Sequence, residues 1–210
     1  MKGYYRLRGR RDPVAVPRIF GAVANYGAPL SDEPIIFLKP PSSIIQDGGA
    51  IRVPAGEQAL FEGEIVVAVG RGGRDVAVAD AMALVGGYGA GLDMTLARFR
   101  KNREEGLPWA MAKGFDTSTC LSEFVPAAMA SAHGVLTVEL DMNGVQRQRG
   151  GVGELITPIP ALIAWISRFI ELEAGDLIFT GTPAGADIVA PGDRLTVRLP
   201  GLVEAAFTVA

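Results

Sequence analysis

The sequence predicts an α+β fold in which strands outnumber helices, on two observations. Glycine and proline are abundant, at 27 and 14 of 210 residues, and they are spread along the chain instead of gathering in a linker. The segments between them are short and apolar, a spacing typical of many strands joined by tight turns. Since no internal repeat or low-complexity tract interrupts this pattern, we expect a single domain over residues 1–210, with 1–17 as an N-terminal extension.

Short apolar runs predict the strands of the first half of the chain. Residues 18–23 and 35–38 are short, apolar and bounded by prolines, and 64–70 are rich in β-branched side chains. Runs of this length between turn residues are typical of buried strands. Residues 77–85 alternate less and predict a helix that ends at the following glycine pair, and 88–94 return to strand.

The second half contains the clearest local signals. Residues 136–141 alternate between apolar and polar side chains and an Asn-Gly pair follows, which predicts a β-hairpin. Apolar residues at helical spacing over 162–170 predict one amphipathic helix packed on the sheet. Strands are predicted at 177–179 and 195–199, each after a Gly-Asp turn.

Composition and charge exclude several classes of protein. The chain has 20 basic and 23 acidic residues, a formal net charge of −3, so there is no electrostatic reason to expect nucleic acid or an anionic membrane as partner. The single cysteine, Cys120, excludes an intrachain disulfide and a cysteine-rich metal site. We interpret it as a small buried apolar residue in a reducing compartment.

Neither an export signal nor a membrane span is predicted. The first residues carry several basic groups, but no apolar segment of a signal peptide follows them. The longest apolar stretch, 160–170, contains Ser167 and Arg168 and is too short to cross a bilayer. We therefore expect a cytoplasmic protein.

Histidine is nearly absent, and this limits the chemistry. His133 is the only one, in an Ala-Ser-Ala-His-Gly segment that predicts an exposed loop. A Ser-His-Asp triad or a histidine-ligated zinc ion would have to use it. Any metal chemistry in this chain is therefore expected to use oxygen ligands.

Three carboxylates form the first candidate site. Glu62 and Glu64 flank Gly63 just before a strand, and residues two apart on a strand point to the same face. Asp93 lies in an otherwise apolar stretch, where an unpaired charge is costly. Together they would form an all-oxygen, six-coordinate site for Mg²⁺ or Mn²⁺. The alternative for the Glu-Gly-Glu segment is a solvated sheet edge.

Two further segments could bind an anionic substrate. Lys113 lies between apolar residues and is followed by glycine, so it either faces a pocket or extends along the surface to water. Residues 180–185 form a glycine-rich turn with two hydroxyl groups directly after a strand. Such a turn either presents N–H groups and a hydroxyl to a carboxylate or is purely structural.

These signals occur in an order that resembles the fumarylacetoacetate hydrolase family. The resemblance runs from about residue 18 to the C-terminus and is closest to short bacterial members that act on acylpyruvates, oxaloacetate and related 2-oxo dicarboxylates. It is carried by Asn25-Tyr26 and by the blocks EPIIFLKP (33–40), FEGEIVVAVG (61–70), GYGAGLDMT (87–95), PWAMAKGFDT (108–117), NGVQRQ (143–148), LEAGDLIFTGTPAG (172–185) and PGDRLTVRL (191–199).

The resemblance implies a mixed β-roll, mostly strands with a few flanking helices, and a homodimer. It implies Mg²⁺ or Mn²⁺ held by Glu62, Glu64 and Asp93, with Lys113 as the catalytic cation beside the substrate. The metal would chelate the 2-oxo and carboxylate oxygens and stabilise an enolate. The positions that the resemblance assigns to substrate binding are Asn25, Tyr26, Arg98, Arg100, Gly181 and Thr182.

The chain departs from the family pattern at the parts that activate water. Family hydrolases carry a histidine and a glutamate on a lid helix after the Asn-Tyr pair. Here the corresponding segment, 27–34, is shortened and contains no histidine. Phe61 replaces the usual histidine before the paired glutamates. The family's substrate-binding arginine and glutamine align with Ala97 and Arg100, with Arg98 one residue away.

These departures favour reactions that need an enolate but no activated water. We expect decarboxylation or keto–enol isomerisation of a small 2-oxo dicarboxylic acid, resembling oxaloacetate or 2-hydroxyhepta-2,4-diene-1,7-dioate. The alternative is hydrolysis of a C–C bond in fumarylpyruvate or another acylpyruvate. A further alternative is a binding protein that keeps the fold and has lost turnover.

Overall fold

The computed structural model describes residues 3–210, apart from the side chains of Arg100 and Arg103. The strands of the described residues are β1 (Tyr4–Tyr5), β2 (Val14–Ala15), β3 (Ile19–Val23), β4 (Ile35–Lys39), β5 (Ile44–Gln46), β6 (Ala50–Ile51), β7 (Ala59–Leu60), β8 (Gly63–Val69), β9 (Val85–Asp93), β10 (Thr95–Leu96), β11 (Thr119–Leu121), β12 (Val125–Pro126), β13 (Thr137–Met142), β14 (Val145–Gly151), β15 (Leu177–Phe179), β16 (Arg194–Leu199) and β17 (Val203–Val209). The helices are α1 (Val78–Ala81), α2 (Arg98–Glu104), α3 (Ala110–Lys113), α4 (Ala127–His133) and α5 (Ile159–Phe169), with 3-10 turns at Pro41–Ser43, Met82–Leu84 and Val152–Glu154.

Two mixed sheets dominate the architecture. The larger has the order β4-β3-β15-β8-β9-β11-β5, with β12 also paired to β9. The smaller has the order β14-β13-β16-β17-β6, and the pairs β1-β2 and β7-β10 stand apart from both. Parallel pairs (β3-β15, β5-β11 and β6-β17) interrupt otherwise antiparallel ladders. With 38% strand and 19% helix, the α+β prediction rich in strand is confirmed.

The main core lies where the smaller sheet packs on β8 and β9 of the larger one. Ile65 and Leu92 from the larger sheet join Leu140, Val197 and Phe207 from the smaller sheet in one buried cluster. A second cluster, on the opposite face of the larger sheet, contains Val66, Phe124 and Phe179. All seven residues of β8 are buried because both of its faces are covered.

The N-terminal segment packs on the second cluster. Tyr5 is buried, and its ring centroid lies 4.6 Å from that of Phe124. The Phe124 N–H donates to the Arg6 carbonyl at 2.8 Å, and β1 pairs with β2 beside it. Residues 3–16 therefore contribute to the packing of the domain, although the sequence suggested only an extension.

A three-residue connection ties the two sheets at their edges. β5 is an edge strand of the larger sheet, β6 is an edge strand of the smaller one, and only residues 47–49 separate them. The Gly48 N–H donates to the Ala206 carbonyl at 2.9 Å, and the Ala206 N–H donates to Asp47 Oδ1 at 2.7 Å. This segment is the edge tie.

The predicted helix over 77–85 is replaced by a shorter arrangement. α1 covers four residues, and Met82–Leu84 form a 3-10 turn. The Leu84 carbonyl accepts the Gly70 N–H at 2.7 Å, which draws the chain onto the sheet where β9 begins at Val85. Contact with the neighbouring strand therefore ends the helix early.

Other local predictions agree with the structure. The hairpin of β13 and β14 turns at Asn143 and Gly144, which both have positive φ. α5 begins three residues before the predicted start because Pro160 is tolerated in its first turn. Cys120 is fully buried. Among the described residues, none of the helices is long and apolar enough to cross a membrane.

Candidate metal centre

Pairing of β8 with β9 brings the three carboxylates together. Gly63 is opposite Leu92 in this ladder, and the Asp93 N–H donates to the Glu62 carbonyl at 2.9 Å. One carboxylate oxygen from each of Glu62, Glu64 and Asp93 lies within 4.8 Å of the others. Glu64 and Asp93 are buried and Glu62 is half-buried, so the Glu-Gly-Glu segment is not a solvated sheet edge.

Lys113 closes one side of the cluster. Its Nζ lies 2.6 Å from Glu62 Oε2 and 2.6 Å from Asp93 Oδ2, and only 5% of the side chain is exposed. The rings of Phe37 and Phe99 have their centroids 4.9 and 5.0 Å from the same Nζ. Of the two interpretations of Lys113, the pocket is therefore correct and the surface lysine is wrong.

A second lysine, which the sequence interpretation missed, contacts the same carboxylate. Lys39 ends β4, is buried, donates to Ser118 O at 3.0 Å and forms an ion pair with Asp93 Oδ1. The signal was present in the sequence, since Lys39 closes an apolar strand just as Asp93 does. Asp93 is thus held between two ammonium groups.

The electrostatics of the cluster follow from burial and these pairs. Burial alone would raise the pKa of Asp93, but the charges of Lys113 and Lys39 outweigh it and hold that pKa below its usual value. Burial also disfavours the Lys113 charge, yet Asp93 and Glu62 raise the pKa of Lys113 overall. Burial, followed by the charges of Asp93 and Glu62, raises the pKa of Glu64 well above its usual value.

The donor set fits a hard divalent cation. Three carboxylates face two ammonium groups, and no ion pair to Glu64 is formed by the described side chains. A buried carboxylate without a cationic partner is unfavourable unless a cation binds or a proton is taken up. Oxygen ligands alone match the preference of Mg²⁺ and Mn²⁺.

The glycine-rich turn after β15 packs directly on the carboxylates. The Gly181 N–H donates to Glu64 Oε2 at 2.6 Å, and a Cβ at Gly181 would lie 2.8 Å from the Asn25 Cβ. The Thr182 hydroxyl donates to the Gly63 carbonyl at 3.0 Å, so its only hydrogen is not available to a substrate. The backbone N–H of Thr182 has no partner among the described residues and is the donor that this turn offers.

Asn25 has contacts that do not support its predicted role in substrate binding. Its amide donates to the carbonyls of Thr157 and Thr180 at 3.0 and 2.9 Å, and its oxygen accepts the Thr157 N–H at 2.7 Å. Both donor hydrogens are thus used within the protein, and the side chain ties three segments together. A direct contact of the Asn25 side chain with the substrate stays a prediction, which these bonds to backbone groups do not favour.

Tyr26 borders the cluster as a neutral phenol. Its hydroxyl donates to Gly151 O at 3.3 Å, and the side chain is half-buried. Burial, with smaller contributions from the charges of Glu64 and Glu154, raises the pKa of Tyr26. The phenol therefore keeps its proton and can act as a hydrogen-bond donor.

The predicted arginines are not brought to the carboxylates by any described contact. Arg98 is exposed and forms a bidentate ion pair with Glu57 instead. The side chain of Arg100 lies outside the described residues. His133 is exposed next to Gly201, as predicted, but it is the last residue of helix α4, so the predicted loop is wrong at this position.

A mixed two-sheet fold with a buried cluster of carboxylates and lysines defines a class of enzymes that work through an oxygen-ligated divalent metal. Within this class, the chain belongs to the fumarylacetoacetate hydrolase family. Residues 14–210 match the family described as fumarylacetoacetate (FAA) hydrolase C-terminal. This confirms the resemblance drawn from the sequence blocks.

Similar proteins include enzymes with different named reactions. A mitochondrial oxaloacetate tautomerase of Arabidopsis thaliana is 39% identical over 93% of this chain and 89% of the relative. The structure of fumarylpyruvate hydrolase from Pseudomonas aeruginosa in complex with Mn²⁺ and pyruvate has a TM-score of 0.93 and 31% identity, covering 100% of this chain and 96% of that one. That of 2-hydroxyhepta-2,4-diene-1,7-dioate isomerase from Mycobacterium marinum has a TM-score of 0.84 and 31% identity, covering 94% and 76%.

Proposed function

We propose that this chain is a divalent-metal-dependent enzyme that stabilises the enolate of a small 2-oxo dicarboxylic acid. The reaction it supports best is keto–enol tautomerisation of an oxaloacetate-like acid. One observation carries the proposal: oxygens of Glu62, Glu64 and Asp93 lie within 4.8 Å of one another beside the buried ammonium of Lys113. The named activity of the Arabidopsis relative supports the same reaction.

The residues of the cluster have separate roles: the carboxylates bind the cation, and Lys113 acts on the substrate. Glu62, Glu64 and Asp93 would hold Mg²⁺ or Mn²⁺, which when bound supplies electrophilic stabilisation of negative charge on the substrate oxygens. Lys113 keeps its proton and places a second positive charge beside the same oxygens. Lys39 holds Asp93 in place.

Two groups on the substrate side can bind the acid. The unpartnered N–H of Thr182 is a donor for a carboxylate oxygen. Tyr26 offers a neutral hydroxyl, and its present bond to Gly151 O is long enough, at 3.3 Å, to be exchanged for a better acceptor. Gly181 contributes through its backbone, since its N–H already orients Glu64.

The same enolate chemistry admits neighbouring reactions. Decarboxylation of oxaloacetate and isomerisation of 2-hydroxyhepta-2,4-diene-1,7-dioate each pass through negative charge on the 2-oxo oxygen. The named activity of the Mycobacterium marinum structure supports the second reaction as an alternative. The distal part of the substrate would distinguish these cases.

Hydrolysis of an acylpyruvate is the second candidate function, and the likeness to fumarylpyruvate hydrolase favours it. Hydrolysis requires a base that deprotonates water. The only histidine, His133, is exposed on α4, and residues 27–33 form an exposed loop after Tyr26. A carboxylate is in general a weaker base than an imidazole, by roughly two pKa units. We therefore expect a poor hydrolase.

A substrate panel tests the proposal. Enol-oxaloacetate, acetylpyruvate, fumarylpyruvate and 5-carboxymethyl-2-oxo-hexenedioate are supplied with Mn²⁺ or with chelator, and enol absorbance, CO₂ and pyruvate are followed. We expect metal-dependent loss of the oxaloacetate enol and slow release of pyruvate from the acylpyruvates. Pyruvate release at an ordinary turnover of about 10 s⁻¹ would instead establish the hydrolase. Binding of oxalate without turnover of any substrate would establish a binding protein.

Three further properties stay predictions: the homodimer, the cytoplasmic location and a role in aromatic catabolism. The family resemblance supports a homodimer, which light scattering on the purified protein would test. A cytoplasmic location was expected from the sequence, whereas the Arabidopsis relative is described as mitochondrial. A role in aromatic catabolism depends on the substrate that the panel identifies.

A further inference from the structure

Gln148 connects the carboxylate segment to the substrate turn. This side chain on β14 is only 2% exposed, although the three residues that precede it on the strand are exposed. Its Oε1 accepts the Gly63 N–H at 2.8 Å. Its Nε2 donates to Thr182 Oγ1 at 2.8 Å and to Pro183 O at 2.7 Å.

The partners fix the direction of every hydrogen bond in this group. A backbone N–H only donates and a carbonyl only accepts, so the Gln148 oxygen faces Gly63 and its nitrogen faces Pro183. The Thr182 hydroxyl must donate to the Gly63 carbonyl, and it therefore accepts from Gln148. Gly63, Gln148 and Thr182 form a closed ring in which the Gln148 amide and the Thr182 hydroxyl use all their donor hydrogens.

The ring spans both halves of the candidate site. Gly63 separates Glu62 from Glu64, so fixing both its N–H and its carbonyl orients the backbone that carries two of the three carboxylates. The same ring fixes Thr182, whose unpartnered N–H is the donor offered to a substrate. A small displacement of the two glutamates or of the Thr182 N–H would weaken binding, because groups that bind a ligand must lie close to their productive geometry.

We propose that Gln148 is a positioning residue that holds the Glu62-Gly63-Glu64 segment and the Thr182 turn in register for cation and substrate. It touches neither and acts through Gly63 and Thr182. The inference rests on the proposed function. Its effect is on binding: substrate and transition state should lose affinity equally when the register loosens, so KM rises while kcat stays nearly constant.

The test compares Gln148→Met with Gln146→Met. Methionine has a similar volume and no amide, and Gln146 is an exposed glutamine two residues earlier on the same strand. We expect Gln148→Met to raise the Kd of oxalate and the KM of oxaloacetate about tenfold, as for a lost hydrogen bond or two, with kcat within about threefold. Gln146→Met should match the parent protein in each value.

A double-mutant cycle separates positioning from general loss of packing. Thr182→Val opens the ring, and we expect Gln148→Met combined with Thr182→Val to weaken oxalate no more than the stronger single variant, since both break one unit. Thr182→Ser, which keeps the hydroxyl, should restore parental binding. Additive losses in the double variant, or a fall in kcat at constant KM, would show that Gln148 only supports the fold.

Binding measurements keep this inference distinct from the proposed function. Titration calorimetry with Mn²⁺ and then oxalate needs no turnover, so the comparison of variants stands even if the parent protein fails to tautomerise oxaloacetate. If Gln148→Met does not fold, the pair Thr182→Val and Thr182→Ser decides whether the ring positions the site. Equal oxalate affinity in that pair, or in the two glutamine variants, would overturn the proposal.

Discussion

Glu64 is the carboxylate on which the metal assignment depends most. It is buried, accepts the Gly181 N–H at 2.6 Å and forms no ion pair with the described side chains, in contrast to Glu62 and Asp93. A buried anion with one hydrogen bond is poorly compensated. A bound cation would compensate it, which makes Glu64 the residue to change.

Replacing Glu64 with Gln should abolish cation binding while the fold survives. The amide keeps an oxygen for the Gly181 N–H, whereas the charge is lost. We expect the Mn²⁺ affinity, measured by electron paramagnetic resonance, to fall at least about 100-fold, because changes at outer partners of ligands already cost 10- to 100-fold. Glu204→Gln, at an exposed position of β17, is the control. Parental Mn²⁺ affinity in Glu64→Gln would show that the cation binds elsewhere.

Lys113 is expected to act in turnover. Its ammonium lies 2.6 Å from Glu62 and from Asp93, so it would add a positive charge beside a substrate bound to the cation. Lys113→Ala should lower kcat/KM at least about 100-fold, as for other electrostatic stabilisers in water-excluded sites. Lys101→Ala, an exposed lysine of α2, should leave kcat/KM unchanged. Unchanged activity in Lys113→Ala would leave the residue a structural partner of Asp93.

Residue-level prediction succeeded where a charge stands in an apolar segment. Asp93 and Lys113 were found in this way, and Lys39 could have been, since its surroundings are equally apolar. The orientation of side-chain hydrogen bonds was not predictable, because it depends on partners distant in sequence. The Asn25 side chain binds residues 132 and 155 positions away in the sequence. The Thr182 hydroxyl donates to the Gly63 carbonyl, which is 119 positions away.

At the scale of elements, one carboxylate joins a loop to a hairpin. Asp193 precedes β16, accepts the Ala190 N–H at 2.7 Å and accepts from the Asn143 amide at 2.8 Å. Asn143 sits in the turn between β13 and β14 and also accepts the Arg194 N–H at 2.9 Å. The backbone N–H of Ala190 first, and then the Asn143 side chain, lower the pKa of Asp193.

This shift predicts an acid dependence of stability. Because the folded-state pKa of Asp193 is below the unfolded value of about 3.9, the contribution is complete above that pH and is lost as pH falls through the folded pKa. The free energy of unfolding, measured with urea, should therefore be lower for Asp193→Asn than for the parent at pH 6. The two values should converge toward pH 3. Asp12→Asn, at an exposed N-terminal position, is the control. A difference that is independent of pH would exclude the carboxylate charge as its cause.

Elements with a local signal were predicted well, and elements limited by tertiary contacts were not. The hairpin at Asn143 depends on a turn whose residues favour positive φ, so two residues suffice to predict it. The helix over 77–85 was overestimated because its end is fixed by a hydrogen bond from Gly70, the residue that directly follows strand β8. Apolar periodicity carries no information about that strand.

At the scale of the whole molecule, the centre exists because strands distant in sequence pair. Glu64 and Asp93 meet through the β8-β9 ladder, Lys39 arrives on β4, and the turn at Gly181 follows β15. Strand order in a mixed sheet is not encoded by the local pattern of apolar residues. The three carboxylates could be grouped from their sequence positions alone, but only the similarity of the ordered sequence blocks to a known family placed Lys113 and the Gly181 turn beside them, and Lys39 was not predicted.

The edge tie of residues 47–49 has a consequence for how the molecule opens. Both edge strands that it joins are short, and a three-residue connection cannot let β5 leave its sheet while β6 stays paired. Neighbouring segments that must open together exchange their amide hydrogens as one cooperative unit. Native-state hydrogen exchange should thus give the amides of β5 and β6 the same opening free energy, although they belong to different sheets. Faster amide exchange in one of the two strands alone would show that residues 47–49 do not couple the strands and that the two sheets open independently.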